Sequence, residues 1–258
     1  MAELPDLTVF ANILNKKFKG KKLKKLEVKV AKKLKVTTEE LQEALEHQTL
    51  QKVERSGKTL QFHFGKNTIL GLHLMLQGEL KEISSADPLP KHCILAFHFK
   101  NSKGFAVTDI LKQATPALNP AENKVPDALE IAEKEFLTLL SKRKKTIKEL
   151  LMDQKAIRGI GNSYGDEILW AAKISPLSIA NKIPESNAKY LYECISKTLK
   201  QAISDIEKAN SDELTGELRD FMKVHGAKIK TSPTGIPVKQ TTIGGRTAYF
   251  TQEQHLYT

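Results

Sequence analysis

The sequence predicts an α+β chain: a β-rich N-terminal part with a leading helix, then a helical part, then a terminal β-hairpin. Three observations carry this. Apolar residues recur at every second position within Lys58–Phe64 and Leu70–Leu76, and at helical spacing after about residue 128. Between these stretches, residues 114–127 hold three prolines and few large apolar side chains, which marks a linker. Near the end, Val238–Ile243 and Thr247–Phe250 flank Gly244-Gly245-Arg246, a strong hairpin signal.

The elements follow in order. A leading helix is expected over Leu7–Phe18. Lysines spaced by Leu26, Val28 and Val30 read as a strand with one solvated face. Lys58–Phe64 alternates cleanly, and Leu70, Leu72, Leu74 and Leu76 continue with the same period. Ile94–Lys100 and Phe105–Asp109 read as two strands joined by an Asn101-Ser102-Lys103-Gly104 turn. Beyond the linker, Leu129, Ala132, Phe136 and Leu139 share a helical face, and Ile147, Leu150 and Leu151 begin another. Leu191, Cys194, Thr198, Ala202 and Ile206 mark a third helix, preceded by Pro184 and a capping Ser186. A shorter helix is expected over Asp212–Val224, stopping at Gly226. No internal repeat is evident.

Composition narrows the function classes. The 258 residues include 41 Lys and Arg against 30 Asp and Glu, a net charge of +11. A charged fraction of 28% and a mean hydropathy of −0.36 fit a folded soluble chain. No apolar run approaches the ~20 residues of a membrane-spanning helix. The acidic start, Met1-Ala2-Glu3-Leu4-Pro5-Asp6, lacks a signal-peptide pattern, so an intracellular protein is expected. Cys93 and Cys194 lie too far apart in sequence to suggest a disulfide framework or a cysteine metal site. His92 and Cys93, adjacent on a strand, would point to opposite faces. Residues 16–35 hold eleven Lys and one Glu, nearly the whole excess of charge. That window suggests a polyanionic partner, and equally a strand with a solvated face.

The most specific stretch is residues 147–172, IKELLMDQKAIRGIGNSYGDEILWAA. Two helices are separated by a Gly-Ile-Gly-Asn turn, with Asn162 at the expected N-cap of the second. Glycines such as Gly161 let a backbone approach a ligand closely, and unpaired helix N–H groups attract a phosphate. A bare turn of this kind also fits an ordinary helical hairpin. The full stretch resembles the helix–two-turn–helix of the formamidopyrimidine-DNA glycosylase/endonuclease VIII family. Further landmarks occur in the family's order: Ala2-Glu3-Leu4-Pro5-Asp6-Leu7, Ser56-Gly57-Lys58, His73-Leu74-Met75-Leu76-Gln77-Gly78 and Ile243-Gly244-Gly245-Arg246. The resemblance covers essentially the whole chain and is looser through residues 80–125.

The resemblance implies an N-terminal β-sandwich over 1–120, a helix–two-turn–helix domain over 128–225 and a finger hairpin over 226–258. DNA would lie between the first two. It implies a DNA repair glycosylase with abasic-site lyase activity, acting through a Schiff base between the N-terminal amine and the lesion sugar. Ala2 would be the nucleophile, Glu3 the proton donor and acceptor, and Lys58 a further catalytic group. Lys58, His73, Asn162 and Arg246 would hold phosphates, Gly161 would shape the turn, and Lys155 would lie near the lesion pocket. No cofactor and no metal are expected. The partner is damaged or abasic DNA, with no membrane association, and the chain is expected to act as a monomer in the cytoplasm.

Four departures from the family pattern bear on this. Ala2 stands where proline is usual, and Met1 must be removed to free its amine. The usual zinc-ligating cysteines are replaced at about Thr231, Thr234, Thr251 and Gln254, so a zincless finger is expected, held by packing of residues such as Ile236, Val238, Ile243, Tyr249 and Phe250. The family's DPRRFG is replaced by Asp109-Ile110-Leu111-Lys112-Gln113-Ala114, which removes the Arg and Phe that fill the gap left by an extruded base; Met75 or Leu76 is the remaining candidate. Asp6 and Thr8 replace family glutamates. The alternative is a protein of the same fold that binds damaged DNA without turnover, and a third reading is an RNA-binding module.

Overall fold

The computed structural model describes every residue except Asn101, Ser102, Ser211 and Thr215, so the expected turn at 101–104 lies partly outside the described residues. The chain divides into two compact units: Met1–Asn123 with Ile206–Leu218, and Lys124–Asp205 with Arg219–Thr258.

In the first unit the elements run α1 (Leu4–Phe18), β1 (Leu23–Val28), α2 (Thr38–Leu45), β2 (Leu50–Ser56), β3 (Thr59–Phe64), β4 (Thr68–His73), β5 (Glu79–Ser84), β6 (Cys93–Phe99), β7 (Lys103–Thr108) and β8 (Thr115–Leu118). They form two four-stranded antiparallel sheets, ordered β1-β6-β7-β5 and β2-β3-β4-β8. Alternation places Leu60, Phe62 and Phe64 of β3 inward, each 1% exposed or less. Phe62 stacks on Phe97 and Phe105 of the facing sheet at 6.0 and 5.5 Å, which makes the unit a sandwich with an aromatic core. Phe18 closes one side by stacking on Phe99 at 4.8 Å.

Four sequence expectations change here. The leading helix begins at Leu4 rather than Leu7, because Pro5 suits a first turn and the Asp6 carboxylate accepts the Glu3 N–H at 2.8 Å. Helix α2 was not anticipated, although Thr37 and Glu40 form a reciprocal capping box (3.1 and 2.7 Å) that its sequence spells out. The first strand stops at Val28, short of Val30. The linker contains β8, an edge strand in which Pro116 is tolerated because one side needs no N–H donor.

The second unit holds α3 (Glu133–Ser141), α4 (Ile147–Met152), α5 (Asn162–Ala171), most of α6 (Glu185–Ala209) and the hairpin β9 (Lys239–Ile243) and β10 (Arg246–Phe250). Helix α3 starts later than the Leu129 pattern suggests, and it buries Phe136 and Leu140 instead of Leu139. Asn162 is the first helical residue of α5, with Gly161 at the cap.

No helix forms over the described residues of 212–224. Asn210 ends α6 with reciprocal bonds to Glu213 (2.9 and 3.0 Å), and the N–H groups of Lys223, Val224 and His225 all donate to the buried Glu167 carboxylate. Tertiary partners thus take the backbone donors a helix would have used.

Candidate active site

The first unit gathers four of the expected residues around the N-terminal end of α1. Ala2 and Glu3 are 5% and 2% exposed, with Glu3 at the helix N-cap. Asn15 zips α1 onto β2, its side chain accepting from Val53 N at 2.7 Å and donating to Val53 O at 2.6 Å. Arg55 bridges the same two elements, donating to Thr8 Oγ1 at 3.0 Å and to Gly57 O at 3.2 Å. That bridge positions the β2–β3 turn and with it Lys58, which is 8% exposed. The departures at positions 6 and 8 are therefore structural fittings: Asp6 ties down the Glu3 backbone and Thr8 accepts from Arg55.

His73 ends β4 one residue beyond the Leu60–Leu72 pair, which sets it beside the Lys58 turn. Burial, and then the Lys58 charge, hold its pKa below the ordinary histidine value. Met75 N–H donates to His73 Nδ1 at 2.9 Å, so the neutral ring carries its proton on Nε2 and presents a donor there. The turn that follows needs Gly78, because a Cβ there would lie 2.2 Å from Leu74 O.

A cavity of about 510 Å³ opens in this unit, walled by Met1, Ala2, Phe10, Leu76, Asp109 and Ile110 among others. The Met1 ammonium pairs with Glu217. Leu76, Ile110 and Leu111 are 52%, 64% and 46% exposed, unusual for side chains of their size. The 109–114 loop that presents two of them is organised by one carboxylate. Asp109, 1% exposed, accepts from Leu111 N at 2.9 Å, Gln113 N at 2.6 Å and Ala114 N at 2.7 Å.

In the second unit the expected residues fall on the α4–α5 turn and the hairpin tip. Gln154 holds the turn by donating to Ile160 O at 2.7 Å and accepting from Gly159 N at 3.0 Å. Lys155 is exposed on that turn. Asn162 Nδ2 donates to Thr247 O at 3.0 Å, which ties the α5 N-terminus to β10. Gly244 and Gly245 both take positive φ, 55° and 73°, as a two-residue turn requires, and Arg246, which follows it, is exposed.

Two charged clusters that sequence reasoning missed hold these parts in register. Lys148 and Asp166, both 0% exposed, pair at 2.6 Å, and Asp166 Oδ2 also meets His225 Nδ1 at 2.7 Å and Tyr249 N at 3.0 Å. The only trace in the sequence is a lysine and an aspartate on helical faces otherwise apolar.

The second cluster sits at the finger, where packing alone was expected to hold the hairpin. Ile243 is buried, whereas Ile236, Val238, Tyr249 and Phe250 are only partly so. Instead, Glu253 accepts from Thr234 at 2.9 Å, Thr251 at 3.1 Å and Trp170 at 3.3 Å, and pairs with Lys173 at 2.9 Å. Gln254 accepts from Thr251 N at 2.8 Å and donates to Ile174 O at 2.9 Å. Lys173 and the hydroxyl donors hold the Glu253 pKa down at about 2. Among the described residues, no group of three or more His, Cys, Asp or Glu could hold a metal.

The profile of the formamidopyrimidine-DNA glycosylase N-terminal domain matches residues 1–115, and that of the same enzymes' H2TH domain matches residues 124–212. The formamidopyrimidine-DNA glycosylase of Streptococcus mutans is 30% identical over 267 residues, covering 97% of each chain. The chain belongs to the formamidopyrimidine-DNA glycosylase family. The family member of Lactococcus lactis is 29% identical over 97% of each chain. A Lactococcus lactis structure in complex with abasic-site DNA superposes with a TM-score of 0.87 at 27% identity, covering 97% of this chain and 98% of that one. A structure of MutM with DNA containing carbocyclic 8-oxo-G gives 0.88 at 27% identity, over 98% and 100%. The family architecture is therefore present throughout: a β-sheet domain with a leading helix, an H2TH helical domain and a C-terminal β-hairpin.

Proposed function

We propose that this chain is a DNA repair glycosylase with abasic-site lyase activity. The observation that carries the reading is the placement of Ala2 on the cavity wall at the N-terminus of α1, followed by a 2% exposed Glu3 and with the Arg55 bridge positioning Lys58. Removal of Met1 converts the Ala2 nitrogen from an amide into a primary amine. An α-amine has a reference pKa of ~7.7–8.0, so a useful fraction is neutral near pH 7. The positive end of the α1 dipole favours the neutral form further. The amine attacks C1′ of the lesion sugar and the damaged base leaves (water, at an abasic site). The C1′–O4′ bond then opens to give the imine, with Glu3 exchanging protons with the sugar, and loss of a C2′ proton expels the 3′ phosphate by elimination. Lys58, the Nε2–H of His73, the turn at Gly161-Asn162 and the Arg246 fork bind phosphates, with Lys155 near the lesion.

Leu76, Ile110 and Leu111 supply the apolar bulk that fills the gap left by the extruded nucleotide, in place of the family's Arg and Phe. The working division into a catalytic domain (1–120), a helix–two-turn–helix domain (128–225) and a finger (226–258) is supported by the two profile matches. The bacterial relatives support a site of action in the bacterial cytoplasm on chromosomal DNA, where the chain acts as a monomer.

Borohydride treatment of Met1-processed protein with abasic DNA is expected to trap a covalent adduct at Ala2, located by peptide mass spectrometry. Tight binding of abasic DNA with no adduct would favour the second reading, a damaged-DNA-binding protein without turnover. The observation in favour of that alternative is the Met1 ammonium, which pairs with Glu217.

A further inference from the structure

Strand β1 forms one edge of its sheet, and its pairing with β6 slips between Leu23 and Lys25. In a regular strand successive side chains alternate faces, so one member of a Lys-Lys pair would point inward. The bulge removes that constraint: Leu23 and Leu26 are both buried, and Lys24 and Lys25 between them are both exposed. Lys100 joins them, because its N–H donates to Lys22 O at 3.1 Å across the end of the β1–β6 pair. His47, in a left-handed conformation (φ 64°), donates its N–H to Leu23 O at 2.8 Å and closes the other side.

The result is a groove of about 660 Å³ lined by Lys24, Lys25, Lys100, His47 and His98, with Leu23 and Phe99 forming its floor. Glu27 also faces it, but that carboxylate is held by Lys25 at 3.4 Å, Lys29 at 2.8 Å and His98 at 3.0 Å. Among the described residues no carboxylate pairs with Lys22, Lys24 or Lys100, so the groove keeps a surplus of positive charge. It lies at the opposite end of the β6–β7 hairpin from Asp109, about 20 Å away for a six-residue strand.

We propose that this groove is a second nucleic-acid contact, one that binds the phosphate backbone of a strand away from the lesion. Its chemistry selects that ligand. The lysines are point charges suited to phosphates without regard to sequence. The apolar floor is 1% exposed or less, so neither base stacking nor an apolar peptide anchor has a surface to use. The reading shares a partner class with the proposed repair activity but rests on different residues.

Lysine acetylation footprinting of the intact protein tests it. Undamaged duplex DNA is expected to protect Lys24, Lys25 and Lys100, and polyglutamate of matched charge is expected not to. The triple variant K24A/K25A/K100A should fold with an unchanged melting temperature. In binding undamaged DNA, its slope of log affinity against log salt should fall by about 2.7, at roughly 0.9 per lost contact. Unprotected lysines, an unchanged slope, or equal protection by polyglutamate would each overturn the proposal. Because neither readout uses catalysis, an inactive enzyme with protected lysines would refute the repair activity and leave the groove standing.

Discussion

At the scale of single residues, burial decides which groups can do chemistry. Glu3 is buried at a helix cap, where a carboxyl can exchange protons with a sugar without bulk water competing for it. Glu3→Gln is expected to lower abasic-site cleavage by about 10²-fold or more with an unchanged melting temperature, measured in single-turnover assays. His73 has a pKa below its unfolded value, so the unfolded chain takes up its proton first as the pH falls. Stability should therefore decline below about pH 6.5 through this group, and His73→Gln should remove that part of the decline in urea titrations. Above pH 6.5 the ring stays neutral, and its share of DNA affinity should show no titration step. Ile110 and Leu111 are solvent-exposed, so I110S/L111S should change stability by under about 0.5 kcal/mol per site. The same variant should lose cleavage of lesions in duplex DNA much more than in single strands; an equal loss on both substrates would contradict a gap-filling role.

At the scale of elements, two charged clusters hold the tip and the helical turn. The Lys148–Asp166 pair is wholly buried, and Lys148→Met removes the cation from a carboxylate that also meets His225 and the Tyr249 N–H. A loss of about 3–5 kcal/mol in chemical denaturation is expected, as for other broken buried pairs. Glu253 ties the finger together through Thr234, Thr251, Trp170 and Lys173. Because its folded pKa lies at about 2, below the ordinary carboxylate value of 4.5, its contribution is present above pH 4.5 and is lost as the pH falls toward 2. Protection of the β9 and β10 amides, relative to their intrinsic exchange rate at each pH, should fall over that window in the native protein. In Glu253→Gln it should be lowered at neutral pH already, and chelators should have no effect on either.

At the scale of the whole molecule, the net charge of +11 divides into separate uses. Part of the 16–35 window is taken up in ion pairs, such as Lys16 with Asp212, Lys17 with Glu82 and Lys29 with Glu27. The proposed grip on the lesion uses Lys58 and Arg246, outside that window. Lys58→Ala should lower affinity for abasic DNA and reduce the salt slope by about one.

Most of the frame was legible because it depends on local pattern. Alternation at Thr59–Phe64, helical spacing at Ile147–Leu151 and the Gly244-Gly245 turn each follow from the period of a backbone or the sterics of φ. The motif order carried the candidate residues for the same reason, as short runs of neighbouring positions. What could not be read depends on partners distant in sequence. Residues 212–224 have helical spacing, but the N–H groups of Lys223 and Val224, with that of His225, go to Glu167, nearly sixty positions earlier. Glu253 is a hub only because Trp170 and Lys173 arrive beside it, and Lys24 and Lys25 share a face only because β6 pairs with a bulge. The sequence alone determined most of the elements, the family and the candidate residues for the proposed chemistry. Tertiary structure decided which buried charges hold those elements together, since the desolvation cost of an ion is offset only by partners that folding brings within reach.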